Sequence, residues 1–278
     1  MRNLYRNHRK LLLVDGCLGY VGGAGATDAF WRPGQAQSDW HEVMVEQRGP
    51  LLADWQALFD IQWQATDAAK AWQAPAPASL QQLPALPHMG NGWGRVAYAS
   101  AREHRDILHS LLHSLQGSRQ RIWLATPYFL PTWKVRRALR KAASRGLDVR
   151  LLLTSRHTDN QPVRYAGQRF YPALLRAGVR IFEFQARFSH LKMVLVDDWV
   201  SLGSCNFDHW NLHFNLDDKM EAVDAPLSQA VEASFLADFA TSAETTLQQW
   251  RALPWSERLQ QRLWGWLDGL VIRFLRRR

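Results

Sequence analysis

His190-Leu191-Lys192-Met193-Val194-Leu195-Val196-Asp197 and His8-Arg9-Lys10-Leu11-Leu12-Leu13-Val14-Asp15 are two copies of one pattern: His-x-Lys, four apolar residues, then Asp. A short apolar run that stops at an acid reads as a buried strand reaching a turn, and Gly16 follows the first copy. In a strand successive side chains alternate between faces, so the His and Lys of each copy share one face. An imidazole and an ammonium aimed at one point can grip a single phosphate. The chain has only six lysines (Lys10, Lys70, Lys134, Lys141, Lys192 and Lys219), and two of them fall in these copies. Each copy also leads to small residues, Gly22-Gly23-Ala24-Gly25 and Gly203-Ser204-Cys205-Asn206.

Strand-like pieces continue outward from the first copy at 20–23 and 42–45, followed by an amphipathic helix over 51–64. Between Lys70 and Gly94 the chain turns rich in Ala, Pro, Gln and Gly, the composition of a linker. Strands and helices then alternate: helix 101–116, strand 121–126, basic helix 132–145, strand 149–154, helix 165–177 ended by Gly178, strand 179–184. This alternation predicts an α/β fold with parallel strands and a sheet covered on both faces.

Of 278 residues, 34 are basic and 25 acidic, a net charge of +9 that favours an anionic partner, either nucleic acid or an acidic membrane surface. Cys17 and Cys205 have neither zinc-site nor disulfide spacing, which points to a reducing compartment. The first residues, MRNLYRNHRK, lack the apolar core of a signal peptide. No run of about 18 apolar residues marks a spanning helix. From Trp255 to Arg278 six arginines face two acids, and Leu259, Leu263, Trp266, Leu270 and Phe274 recur at helical spacing. This tail reads as an interfacial helix on anionic lipid, with docking on the core as the alternative. His104, His109 and His113 also fall at helical spacing, but with no supporting acid or thiol they read as solvated or capping residues.

The two copies resemble the paired HKD signatures of the phospholipase D superfamily. GSCNFDHWNLHFNLD (203–217) is similar to the segment after the second signature in bacterial cardiolipin synthases, and its HWNL points to the cardiolipin synthase B-like branch. TPYFLP (126–131), RGLDVRLLL (145–153) and LLRAGVRIFE (174–183) are similar to the second half of those enzymes. The resemblance implies an α/β pseudo-dimer of two sheet-and-helix repeats with the first incomplete. Residues 1–69 would be the end of the first repeat, 70–94 a linker, 95–250 the second repeat and 251–278 the amphipathic tail. Only seven residues precede His8, where the family carries roughly a hundred, about half a domain, so the chain is expected to be N-terminally truncated. Gly25 stands where the family has asparagine.

By the same resemblance, His8, Lys10, Asp15, His190, Lys192 and Asp197 form the catalytic set, with His8 expected to attack phosphorus and His190 to move protons; the reverse is compatible with the motifs. The motif aspartates, placed at strand ends, are expected to anchor loops. Lys10, Lys192 and Asn206 would hold phosphoryl oxygens. Glu42 in the first half and Asp217 in the second would each orient an imidazole. Ser204, Tyr128 and Phe129 would line the substrate pocket, although the aromatic pair could equally be core. No metal or other cofactor is implied, because lysines neutralise the charge. The expected activity is transfer of a phosphatidyl group from phosphatidylglycerol through a phosphatidyl-histidine. The place is the membrane surface, peripheral on the cytoplasmic face of the bacterial inner membrane, with no nucleic-acid partner. Alternatives are a nuclease of the same superfamily and an inactive membrane-binding remnant.

Overall fold

The computed structural model describes residues 6–34, 39–64, 92–99, 105–208 and 215–276, with side chains of the last helix described through Leu270. The proposed linker therefore falls almost wholly outside the described residues, as do His104 and the HWNL segment.

Strand β1 (Arg6–Asn7) precedes a small antiparallel sheet of β2 (Leu11–Val14), β3 (Leu18–Gly22) and β4 (Met44–Gln47), and helix α1 (Leu51–Gln64) follows. After β5 (Trp93–Ala99) come α2 (Arg105–Gly117), β6 (Arg121–Thr126), α3 (Trp133–Ser144) and β7 (Asp148–Thr154). Helices α4 (Gln161–Gln168) and α5 (Tyr171–Arg176) lead to β8 (Arg180–Phe184), β9 (Met193–Val196), β10 (Trp199–Gly203) and β11 (Asn215–Val223). The chain closes with α6 (Ala225–Ala240), β12 (Ser242–Thr245), α7 (Leu247–Arg251) and α8 (Trp255–Arg276). One helix expected over 165–177 is thus two, α4 and α5.

The large sheet runs β1-β11-β10-β9-β6-β7-β8-β12, with β5 also pairing β11. Parallel pairing, expected from the alternation, occurs at β6–β7–β8 and β1–β11; the other neighbours are antiparallel. Alternation along the central strands sorts apolar side chains onto two faces. Ile122, Leu124, Val194 and Val196 pack under α2, α3 and α5 through Leu111, Leu139 and Leu174. Trp123, Ala125, Met193 and Leu195 face α1 and α6 through Trp55, Phe235 and Phe239. The sheet is therefore covered on both faces, as the sequence suggests.

Both motif aspartates have left-handed backbone, with φ of 51° at Asp15 and at Asp197, a conformation that Asp tolerates better than most residues. Asp197 uses it to turn its carboxylate onto the start of β6. It accepts from the backbone N–H groups of Arg119, Gln120 and Arg121 at 2.9, 2.9 and 3.0 Å. Burial pushes its pKa up, but these three donors outweigh burial and hold it below the ordinary value. A depressed carboxylate pKa contributes stability above the unfolded value, lost as pH falls through the folded one. Asp197→Asn is expected to lower unfolding free energy by about 1–3 kcal/mol at neutral pH. In urea titrations the difference from wild type should shrink below about pH 4; an Asn variant as stable as wild type at pH 7 would exclude the anchoring role.

Candidate active site

Two short backbone pairings deliver the candidate residues to one place. The His8 amide donates to the carbonyl of Leu216 at 2.9 Å, extending the β1–β11 pairing and setting His8 beside Asp217. The His41 amide donates to Phe188 and the His190 amide to His41, each at 2.8 Å, which lays Glu42 against His190.

The imidazole partners are crossed. His8 Nδ1 lies 2.9 Å from Asp217 Oδ1, and His190 Nδ1 lies 2.7 Å from Glu42 Oε2. Sequence reasoning placed Glu42 with the first half and Asp217 with the second; each instead serves the histidine of the other copy. The reason is topological, since pairing β1 with β11 and His41 with Ser189 interleaves the two chain segments.

Glu42 also accepts from Lys192 Nζ at 3.1 Å, and that ammonium is fully buried. Lys192 Nζ lies 2.8 Å from His190 Nδ1 and 3.1 Å from Nε2. Nδ1 cannot both donate to Glu42 and accept from Lys192. The shorter, charge-assisted contact with Glu42 assigns the proton to Nδ1 and leaves Nε2 with its lone pair. Gly23 makes room: a Cβ there would overlap the Glu42 carboxylate. Gly203 does the same on the other side, where a Cβ would strike the backbone of Asp218 and Lys219.

Burial holds His190 down to about 4, against the pull of Glu42, with Lys192 and Lys10 pushing the same way as burial. Burial would raise Glu42, but the attraction of Lys192 and His190 leaves it below the ordinary carboxylate value. Burial brings Lys192 and Lys219 each down to about 8, and lowers Lys10. Lys10 is felt by His190, and Asp217 and Glu42 by Lys10, so the charges of both copies converge on one region.

Lys10 Nζ donates to the His8 carbonyl at 2.7 Å. Asn206 is buried, and its Oδ1 has no hydrogen-bond partner among the described residues. Ser204, expected against substrate, is fully buried and donates to Asp217 Oδ1 at 2.8 Å, so it steadies the carboxylate behind His8. Phe129 is core; Tyr128 lines a cleft and donates to Asp159. Asp15 and Asp197 sit at the turns beyond their strands. His109 and His113 are exposed on α2.

Sequence reasoning missed an aromatic wall around His190: Trp40, Phe30 and Phe188, with ring centroids 5.0, 5.5 and 5.7 Å away. Phe188 was accessible in principle, two residues before His190 and so on its side of an extended segment. Lys219 was too, two residues after Asp217; its Nζ donates to the Lys192 carbonyl at 2.8 Å and lies 4.0 Å from the Phe207 ring.

A family model described as "Cardiolipin synthase, PLD-like domain" matches residues 111–239, the segment that carries the second copy. Residues 111–239 therefore form a phospholipase D-like domain. The chain is 34% identical to cardiolipin synthase A of Pseudomonas putida over 258 residues, 92% of this chain and 51% of that protein. It is likewise 34% identical to cardiolipin synthase A of Pseudomonas aeruginosa strain LESB58, over 92% of this chain and 50% of the relative. The chain thus spans about half the length of the curated relatives it matches, and these carry the A name where the HWNL segment suggested a B-like branch. Phosphatidylserine synthase of Haemophilus influenzae Rd KW20 shares the fold, with a TM-score of 0.69 at 12% identity over 99% of this chain and 71% of that one.

A neutral, Nδ1-protonated His190 has a spectroscopic signature. In 15N NMR of histidine-labelled protein, its two ring nitrogens should remain distinct at pH 7 and merge toward the imidazolium pattern only near pH 4. Glu42→Gln removes a group that raises this pKa, so the midpoint should fall further. A midpoint near the ordinary 6.5 in wild type would contradict the buried environment.

Proposed function

We propose that the chain carries the phosphoryl-transfer site of a cardiolipin synthase-type enzyme, joining the phosphatidyl group of phosphatidylglycerol to a second phospholipid or another alcohol. The observation that supports this most is the crossed pair of oriented imidazoles among lysines, within a chain matched by the cardiolipin synthase model.

A phosphodiester resists nucleophiles because it is anionic, so charge neutralisation and division into two displacements both lower the barrier. One imidazole attacks phosphorus, forming an N–P bond as the bond to glycerol breaks. The other donates a proton to the departing glycerol oxygen. The incoming hydroxyl then returns a proton to that second imidazole and attacks phosphorus, breaking the N–P bond. Lys10, Lys192 and Asn206 hold the phosphoryl oxygens, which lets the scheme run without a metal. Attack needs a neutral imidazole; burial supplies one at His190, which favours His190 as nucleophile and His8 as proton carrier, the reverse of the family-derived expectation.

The tail supports a membrane surface as the place of action. Helix α8 docks through Gln261, Gly265 and Asp268, with Asp268 held by Arg169 at 2.6 Å. Trp255, Leu259, Leu263, Trp266 and Leu270 are exposed along the opposite side. Docking and membrane contact are therefore compatible, because the side that packs on the protein is not the side that carries Leu259, Leu263, Trp266 and Leu270. No helix among the described residues is long and apolar enough to cross a membrane. The proposal is peripheral attachment at the cytoplasmic face of the bacterial inner membrane. In flotation assays Leu263→Glu/Trp266→Glu should reduce retention on phosphatidylglycerol vesicles by about tenfold or more; equal retention would detach the helix from the membrane.

Turnover of labelled phosphatidylglycerol in chelator is the functional test. Cardiolipin should form, either His8→Ala or His190→Ala should reduce turnover by about 10⁴-fold or more, and alkaline quench should trap the phosphoryl group on the His190 peptide. Lysines that titrate near 8 hold the anion only when protonated, so kcat/KM should fall as pH rises through about 8. Hydrolysis of DNA or RNA without phosphatidyl transfer would favour the nuclease, and turnover of neither would favour the remnant.

A further inference from the structure

A cleft of about 420 Å³ lies between α4 and α8, walled by Leu130, Val163, Ala166, Trp264 and Leu267. Its volume falls in the range of small-molecule sites, roughly 300–1,000 Å³. The walls are mainly apolar, and the polar groups, Asn160, Asp208 and Asp268, have structural or local partners: Asn160 caps α4 by accepting from the Val163 amide, and Asp268 binds Arg169. Arg169 also donates to the Gly265 carbonyl, so α8 is pinned along one edge of the cleft.

Position gives the cleft its meaning. Tyr128, one of its lining residues, has its ring 6.5 Å from Phe188, and Phe188 lies 5.7 Å from the His190 imidazole. A row of aromatic rings thus runs from the His190 imidazole to the cleft. On its other side, the same helix that supplies Trp264 and Leu267 exposes Leu263, Trp266 and Leu270 to the surroundings. A ligand suited to this path is anionic at one end, long and apolar at the other, and arrives from an apolar phase.

We infer that the α4–α8 cleft holds an acyl chain of the diacyl phospholipid whose phosphate lies at His190. This rests on the lipid reading above and deepens it by assigning the hydrocarbon a place. Specificity for lipid over other phosphodiesters then arises outside the His–Lys machinery, from apolar area that only a long chain covers. Tyr128 marks the junction; burial and its bond to Asp159 raise its pKa, so it stays a neutral hydroxyl at the boundary between polar and apolar ligand parts.

Two measurements test the cleft. With phosphatidylglycerols of six to ten carbons per chain, KM for the wild-type chain should fall with length, by up to about fourfold for each methylene withdrawn from water. Val163→Trp fills the cleft, so KM at ten carbons should rise toward the six-carbon value. Independently of turnover, phosphatidylglycerol with a diazirine at the end of one acyl chain should label the peptides containing Val163 and Leu267 in the unmodified protein. Labels there without turnover would leave the cleft standing and remove the transferase reading. Turnover with no chain-length dependence, or labels confined to the exposed side of α8, would overturn the acyl-chain assignment and spare the transferase.

Discussion

The buried contact of Glu42 with His190 and Lys192 is the constraint around which the molecule is arranged. It joins the small sheet, through Glu42 two residues before β4, to the large sheet, through His190 and Lys192 just before β9. Burying a carboxylate and an ammonium is tolerable only when each satisfies the other; removing one partner of such a pair costs about 3–5 kcal/mol. The glycines at 23 and 203, the bridge from His41 to Ser189 and the pairing of β1 with β11 all serve to bring charged groups together at short range. The crossing of Asp217 and Glu42 makes the imidazole of each copy depend on an acid from the other part of the chain, the arrangement that the proposed single phosphoryl site requires.

The same burial sets the chemistry. An imidazole walled by Phe30, Trp40 and Phe188 loses its hydration, and its charged form is disfavoured. Lysines near it lose part of their proton affinity for the same reason, yet near neutrality Lys192 and Lys219 remain protonated, since each titrates near 8. The proposed site therefore sets a neutral imidazole at His190 beside the protonated lysines Lys192 and Lys219, surroundings suited to an anionic phosphodiester.

Much of this was legible in the amino-acid order. The helix over 51–64 and the strand over 121–126 have the bounds read from the sequence, since Gly49-Pro50 stands before the helix and Pro127 follows the strand. The His–Lys pairs and the two supporting acids were legible from motif spacing and family resemblance. Which acid meets which histidine was not, because that depends on contacts between residues about 150 and 209 positions apart, such as His190–Glu42 and His8–Asp217. Ser204 was misread for a related reason: a serine beside a glycine turn gives no hint that its hydroxyl points inward to Asp217. The tail posed a choice between docking and display, and the helix does both: Gln261, Trp264, Gly265, Leu267 and Asp268 face the protein, while Leu259, Leu263, Trp266 and Leu270 are exposed.

A crystal structure with orthovanadate bound tests most directly whether the crossed contacts build one phosphoryl site. The expected result is a single vanadium between His8 and His190, one imidazole bonded along the axis and the other within about 2.6–3.2 Å of the opposite oxygen, with Lys10 and Lys192 on the remaining oxygens. Separate vanadates at the two motifs, or imidazoles more than about 10 Å apart and so beyond reach of one phosphorus, would contradict it.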